Sequence, residues 1–207
     1  MEQRNNAVSI VVIGSLWGIT EATLGYLVHI LSFFSFYGIS GIIMSAVAVY
    51  FMRMAFKTTH KLSSIFYVSV IAAGIKLFDL FLPMLPASKT IGPAIAILSE
   101  GLVIMLGYAL FSKGKKYISL SLFGGISWRI FYLATLFILG YFTPHTSISA
   151  YILSFILLQG MLNALFIYPV LKIKNIKALR GELAVRPEFA IVLFSLAVSL
   201  ELILKAI

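Results

Sequence analysis

Eight polar side chains stand inside stretches otherwise apolar enough to enter a lipid bilayer. They are Glu21, His29, Lys76, Asp79, Glu100, Arg129, Gln159 and Asn163. An ionised group facing lipid costs several kcal/mol, about 2.5 to 3.5 on insertion scales, so such residues turn toward protein or a cavity. Their chemistry suits a small polar ligand. Lys76 and Arg129 can hold an anionic group and the three acids a cationic or hydrogen-donating one, while Trp17, Trp128 and Tyr132 offer ring faces. The same residues could instead form ion pairs and hydrogen bonds that only hold helices together. Three acids, two bases, a histidine and two amides are more than packing requires, which favours a pocket.

Helical phase gathers these groups. At about 100° per residue, Gly14, Gly18, Glu21, Ala22, Gly25 and His29 fall within a sector roughly 100° wide. Small residues at four-residue spacing let another helix approach closely, so Glu21 points at protein or a cavity. Ser69, Ala72, Lys76 and Asp79 share one face; Pro93, Ala96, Glu100 and Gly107 another; Gly125, Arg129, Tyr132 and Gly140 a third. Gln159 and Asn163 are one helical turn apart. Counted from span ends, Glu21, Arg129 and Gln159 lie near mid-membrane, with His29, Lys76, Asp79 and Glu100 in the outward half.

The elements that must position them follow from composition. The chain of 207 residues is 61% hydrophobic and 11% charged, with mean hydropathy +1.05, values that a water-soluble domain does not reach. Continuous apolar runs predict an all-α, polytopic helical bundle forming one transmembrane domain over 1–207, with spans near 7–31, 38–56, 62–82, 93–112, 117–142, 149–171 and 188–206. Period-two β-barrel patterning is absent. The last span carries Glu201 and Lys205 and could be a shorter or tilted closing helix. The first is too long for a signal-peptide h-region and is read as a retained span.

Twelve of the sixteen basic residues fall in alternate connections, among them Arg53, Lys57, Lys61, Lys113, Lys115, Lys116, Lys172 and Lys174. Only Lys89 and Lys205 fall on the other side. The positive-inside rule then predicts a multi-pass cell-membrane protein with a cytoplasmic N-terminus, cytoplasmic basic loops, and 32–37, 83–92 and 143–148 facing outward. The net charge of +9 is thereby spent on orienting spans and meeting anionic headgroups, which argues against nucleic acid as a partner.

Several chemistries find no support. There is no phosphate-binding Gly-rich loop, so ATP hydrolysis is not expected, and neither H-E-x-x-H nor a nucleophile elbow occurs. The absence of cysteine removes thiolate and disulfide chemistry. The three histidines are far apart; His29 and His145 with a carboxylate could hold a metal, but a stray loop histidine explains His145 more simply. No enzyme activity, cofactor or metal is expected. An internal echo is present: Thr20-Glu21 with Gly25-Tyr26, and Ser99-Glu100 with Gly107-Tyr108, on spans of opposite direction.

Size, basic charge, six to seven helices, the outward polar pocket and the small-residue ladder Gly14, Gly18 and Ala22 make the chain resemble the substrate-binding S component of energy-coupling-factor vitamin transporters. The resemblance covers 1–171 by architecture and 14–22 by motif. It implies a vitamin-like metabolite bound in the outer half, docking through Gly14, Gly18 and Ala22 to a transmembrane coupling subunit, and ATPases on separate chains. A seventh span departs from the family, and no substrate-diagnostic motif is present. The expected function is metabolite uptake in the lipid bilayer. The alternatives are a stand-alone proton-coupled secondary transporter, using the surplus acid among Glu21, Asp79 and Glu100, and a membrane-embedded enzyme or structural subunit.

Overall fold

Seven helices account for nearly all of the ordered backbone in a computed structural model, which describes residues 2–34, 39–83, 85–111, 116–141, 149, 152–176, 178–179 and 186–206. They are α1 (Glu2–Phe34), α2 (Ile39–Thr59), α3 (Ser63–Leu77), α4 (Ala87–Phe111), α5 (Tyr117–Ile138), α6 (Gln159–Lys172) and α7 (Pro187–Ala206). A 3-10 turn, Phe78–Phe81, extends α3, and a π-helical stretch, Leu153–Leu158, runs directly into α6. Seven segments are long and apolar enough to cross a bilayer, in agreement with the spans read from sequence, and no strand occurs among the described residues. The protein is an α-helical, multi-pass membrane bundle.

Six helices close a ring in the order α1, α3, α4, α5, α6, α2, and α7 packs outside it on α1 and α3. The peripheral place of α7 shows in its burial. Only 17% of its span residues are buried, against 56% in α2, so most of its surface is left for lipid. The seat of α7 is nevertheless specific: Glu201 is buried against Lys76, and Phe194 meets Phe78 edge-on at 6.2 Å.

Small residues set how closely the ring packs. A Cβ on Gly125 would stand 2.5 Å from the Gly160 carbonyl oxygen and 2.6 Å from the Ala164 nitrogen, so the α5 and α6 backbones touch there. Gly14 and Gly18 do the same for α1 and α3, where a Cβ would lie 2.6 Å from Ile71 Cβ and 2.5 Å from Ile75 Cδ1. Of the small-residue face read as a helix- or partner-docking surface, Gly14 and Gly18 are covered by α3 of the same chain. Gly14 and Gly18 are helix-docking positions, and Ala22 is buried beside a cavity.

The helix directions alternate, so Arg53, Lys57, Lys61, Lys116, Lys172, Lys174 and Arg186 gather at one end of the bundle. Arg53 donates to the carbonyls of Val170 and Ile173, and Lys57 Nζ to that of Lys174 at 2.8 Å. These cations close the open C-terminus of α6, where free carbonyls and the helix dipole favour positive charge.

Candidate functional site

At the other end, the C-terminal half of α1, the first turns of α2, the N-terminal half of α4 and the C-terminus of α7 enclose a cavity of about 510 Å³. Its walls carry Glu21 and Tyr26 from α1, Ser40 and Gly41 from α2, Lys76 from α3, Lys89, Pro93 and Glu100 from α4, Trp128 from α5 and Lys205 from α7. The size is that of a small-molecule site. Helices α1 and α4 are not packing neighbours, and their acids face the cavity from opposing walls. The paired Thr-Glu and Ser-Glu motifs thus bring Glu21 and Glu100 to one space.

Local sequence shapes these walls. Gly25 lies one turn beyond Glu21, and a Cβ there would be 3.9 Å from Glu21 Oε1, so its absence opens the wall beside the carboxylate. The helix α4 begins at Ala87, six residues earlier than the predicted span, and continues through Pro93. Proline has no N–H for the Lys89 carbonyl four residues back, an omission tolerated at membrane depth where backbone lines a cavity. The earlier start draws Lys89 out of the predicted connection and into the cavity wall.

The sequence-derived set divides into three groups. Glu21, Glu100 and Trp128 line the cavity as expected. Glu21 and Glu100 enter no salt bridge among the described residues; they act on each other electrostatically, and Arg129 acts on Glu100 and Lys76 and Lys205 on Glu21. Trp17 is fully buried in the core of α1, α2 and α3 instead of lining the cavity, and its indole N–H acts on Glu21 without closing to hydrogen-bond geometry.

Lys76 reaches the cavity, but its charge is committed elsewhere. Its Nζ pairs with Glu201 of α7 and lies 3.2 Å from Asp79 Oδ2, all three side chains being at least nine-tenths buried. Asp79 does not line the cavity. Lys76 thus borders the cavity and, with Asp79 and Glu201, forms an ion-pair cluster that joins α3 to α7. Glu201, an acid inside an apolar span and one turn from Lys205, carried the same signal as Glu21 but was assigned only to the end of the last span.

Arg129 is likewise committed. Gly125, one turn earlier on α5, brings α6 close enough for Nη1 to donate to Gln159 Oε1 at 2.9 Å and Nη2 to Asn163 Oδ1 at 3.3 Å. Its guanidinium carbon lies 4.7 Å from the Trp128 ring centroid and 4.5 Å from that of Phe155, and Tyr132 packs on both rings at 6.0 and 6.1 Å. The arginine is thus caged by two amides and two rings, one layer behind Gly41 of the cavity wall, where a Cβ would be 3.9 Å from Nη2. Arg129, Tyr132, Gln159 and Asn163 stand behind the cavity wall and are not among its lining residues. The π-helical stretch at 153–158 sets the phase in which Phe155 and Gln159 face the same guanidinium.

The His29 side chain and His145 lie outside the described residues. No group of three or more His, Asp or Glu among the described residues is placed to hold a metal. The residues that sequence reasoning missed are Lys89 and Lys205, counted there only as charges that orient spans. Compared with protein-family models, curated proteins and solved structures, the chain matches none. The reading of the site therefore rests on its own geometry.

Proposed function

We propose that this protein takes up a small polar metabolite, bound in the cavity between α1 and α4 and reached from the side opposite the lysine-rich connections. The observation that carries this reading is the cavity itself: about 510 Å³ within a membrane bundle, walled by charged groups of which Glu21, Glu100, Lys89 and Lys205 form no salt bridge among the described residues. Holding the two acids at membrane depth is costly unless something polar occupies the space beside them, and the exposed Lys89 and Lys205 stand at the mouth of that space. Energisation by partner ATPases through a coupling subunit, as in an S component, remains part of the proposal, with docking on a surface other than the Gly14 and Gly18 face. Native mass spectrometry of the purified protein is expected to show a co-purified metabolite that is lost in Glu100→Gln while the melting temperature stays within a few degrees. Retention of that metabolite by both Glu21→Gln and Glu100→Gln would show that the acids do not form its site.

A second reading draws on one specific feature: Glu21 and Glu100 line the same cavity, and neither enters a salt bridge among the described residues. A stand-alone proton-coupled transporter requires an intramembrane carboxylate that faces such a cavity. Uptake by the chain alone in proteoliposomes, abolished by dissipating the proton gradient, would select this mechanism; co-purification with an ATPase pair would select the first.

A further inference from the structure

The charges around the cavity become informative once those satisfied by the protein are set aside. Lys76 is taken by Glu201 and Asp79, and Arg129 by Gln159 and Asn163. The remainder is two carboxylates, Glu21 and Glu100, and two ammonium groups, Lys89 and Lys205. By position along their helices they fall at two levels, with Lys205 near enough to act electrostatically on Glu21. The carboxylates stand in the middle of α1 and α4, whereas Lys89 is in the first turn of α4 and Lys205 in the last turn of α7. From Glu100 to Lys89 is eleven residues along one helix, about 16 Å of axial rise, too far for an internal salt bridge without a bridging group.

The aromatic wall adds an independent sign. Trp128 is 5% exposed, lines the cavity, and its Nε1–H has no acceptor among the described residues. A buried indole N–H ordinarily finds a partner, so its vacancy beside a cavity marks a place for an acceptor on a bound molecule.

Resting on the reading that the cavity binds a metabolite, we infer that its ligand is amphoteric: a cationic nitrogen head seated deep between Glu21 and Glu100 beside Trp128, and a carboxylate or phosphate end, several bonds away, held by Lys89 and Lys205. An amphoteric ligand uses both levels of the cavity: its cation meets the half-buried acids, on which Lys76, Lys205 and Arg129 act without closing a salt bridge, and its anion meets the exposed lysines at the mouth. The polarity is fixed by depth, with the cation inward and the anion at the mouth.

A matched set of probes tests this: 6-(trimethylammonio)hexanoate, hexyltrimethylammonium and hexanoate, titrated against the detergent-solubilised protein by calorimetry and thermal shift. The zwitterion is expected to bind more tightly than either half by on the order of tenfold or more. Lys89→Ala combined with Lys205→Ala should bring the zwitterion down to the affinity that hexyltrimethylammonium shows for the same variant, without weakening the latter. Glu21→Gln with Glu100→Gln should remove hexyltrimethylammonium binding. Because these positions border a cavity, the ligand-free melting temperature serves as the folding control. Equal affinity of hexyltrimethylammonium and the zwitterion for the wild-type protein would overturn the inference. So would a co-purified metabolite lacking either charge, and that outcome would leave the metabolite pocket standing. If neither a co-purified molecule nor any probe binds, both readings fall.

Discussion

The clusters around Lys76 and Arg129 and the walls of the cavity use the same residue types at comparable places in the bundle, yet differ in how their charges are resolved. In the clusters every charge has partners from the chain, supplied across long sequence separations: Glu201 for Lys76, Gln159 and Asn163 for Arg129. Around the cavity the acids on α1 and α4 stand apart and the lysines lie at the helix ends. The first arrangement draws its partners from within the chain. The second is completed from outside, and that difference separates structural charges from binding charges in a membrane bundle, where both are conspicuous in sequence.

The comparison can be broken most severely at Lys76. Lys76→Met would leave Asp79 and Glu201 buried without their cation, and breaking a buried pair in this way costs about 3 to 5 kcal/mol. A large fall in melting temperature is expected, with most of it recovered when Asp79→Asn and Glu201→Gln are added. A small fall for the single variant would place Lys76 among the binding charges instead.

A smaller loss is expected at the helix contact that holds the arginine cage. Gly125→Ala drives a Cβ into the α6 backbone and should destabilise by about 1 to 3 kcal/mol, as overpacking does. Ligand retention should fall with it, because Arg129 and Trp128 would shift together. If stability and ligand retention are both untouched, the close approach of α5 and α6 is not what positions the cage.

Gly14→Ala meets the Ile71 side chain and should cost about 1 kcal/mol or more, with Ile71→Ala restoring the loss by making room. Rescue by a residue of the same chain distinguishes internal docking from contact with a coupling subunit. Absence of rescue, together with loss of a co-purifying partner, would return this face to the partner.

The smallest effect on stability belongs to the cavity. Glu100→Gln removes no salt bridge and should change unfolding free energy by no more than about 0.5 kcal/mol, as substitutions away from packed features do, while abolishing metabolite retention. A loss of several kcal/mol there would move Glu100 into the structural group and erase the contrast.

Much of this was legible in one dimension. Apolar runs of bilayer length fixed the number and type of the helices, and the small-residue face of the first span placed Glu21 inward together with Gly14, Gly18 and Gly25. The Thr-Glu and Ser-Glu echo pointed to Glu21 and Glu100, the two acids that meet the cavity. Phase also turned Lys76 and Arg129 inward correctly. It could not show that Lys76 was already paired and Arg129 already hydrogen-bonded, because a helical wheel contains only its own helix and Glu201 lies 125 residues from Lys76. Lys89 and Lys205 were hidden for another reason: lysines at span ends ordinarily mark orientation, and only the early start of α4 and the docking of α7 carried them to the cavity.

The sequence by itself thus determined that the chain lives in a bilayer, that it crosses as helices, and which side chains had to avoid lipid, since hydration cost and helical period act locally along the chain. Tertiary structure alone decided which of those side chains neutralise one another and which face empty space. Pairing is settled by contacts between helices distant in sequence, and those contacts depend on how closely glycine faces such as Gly125 on Gly160 and Gly14 on Ile71 allow the helices to meet.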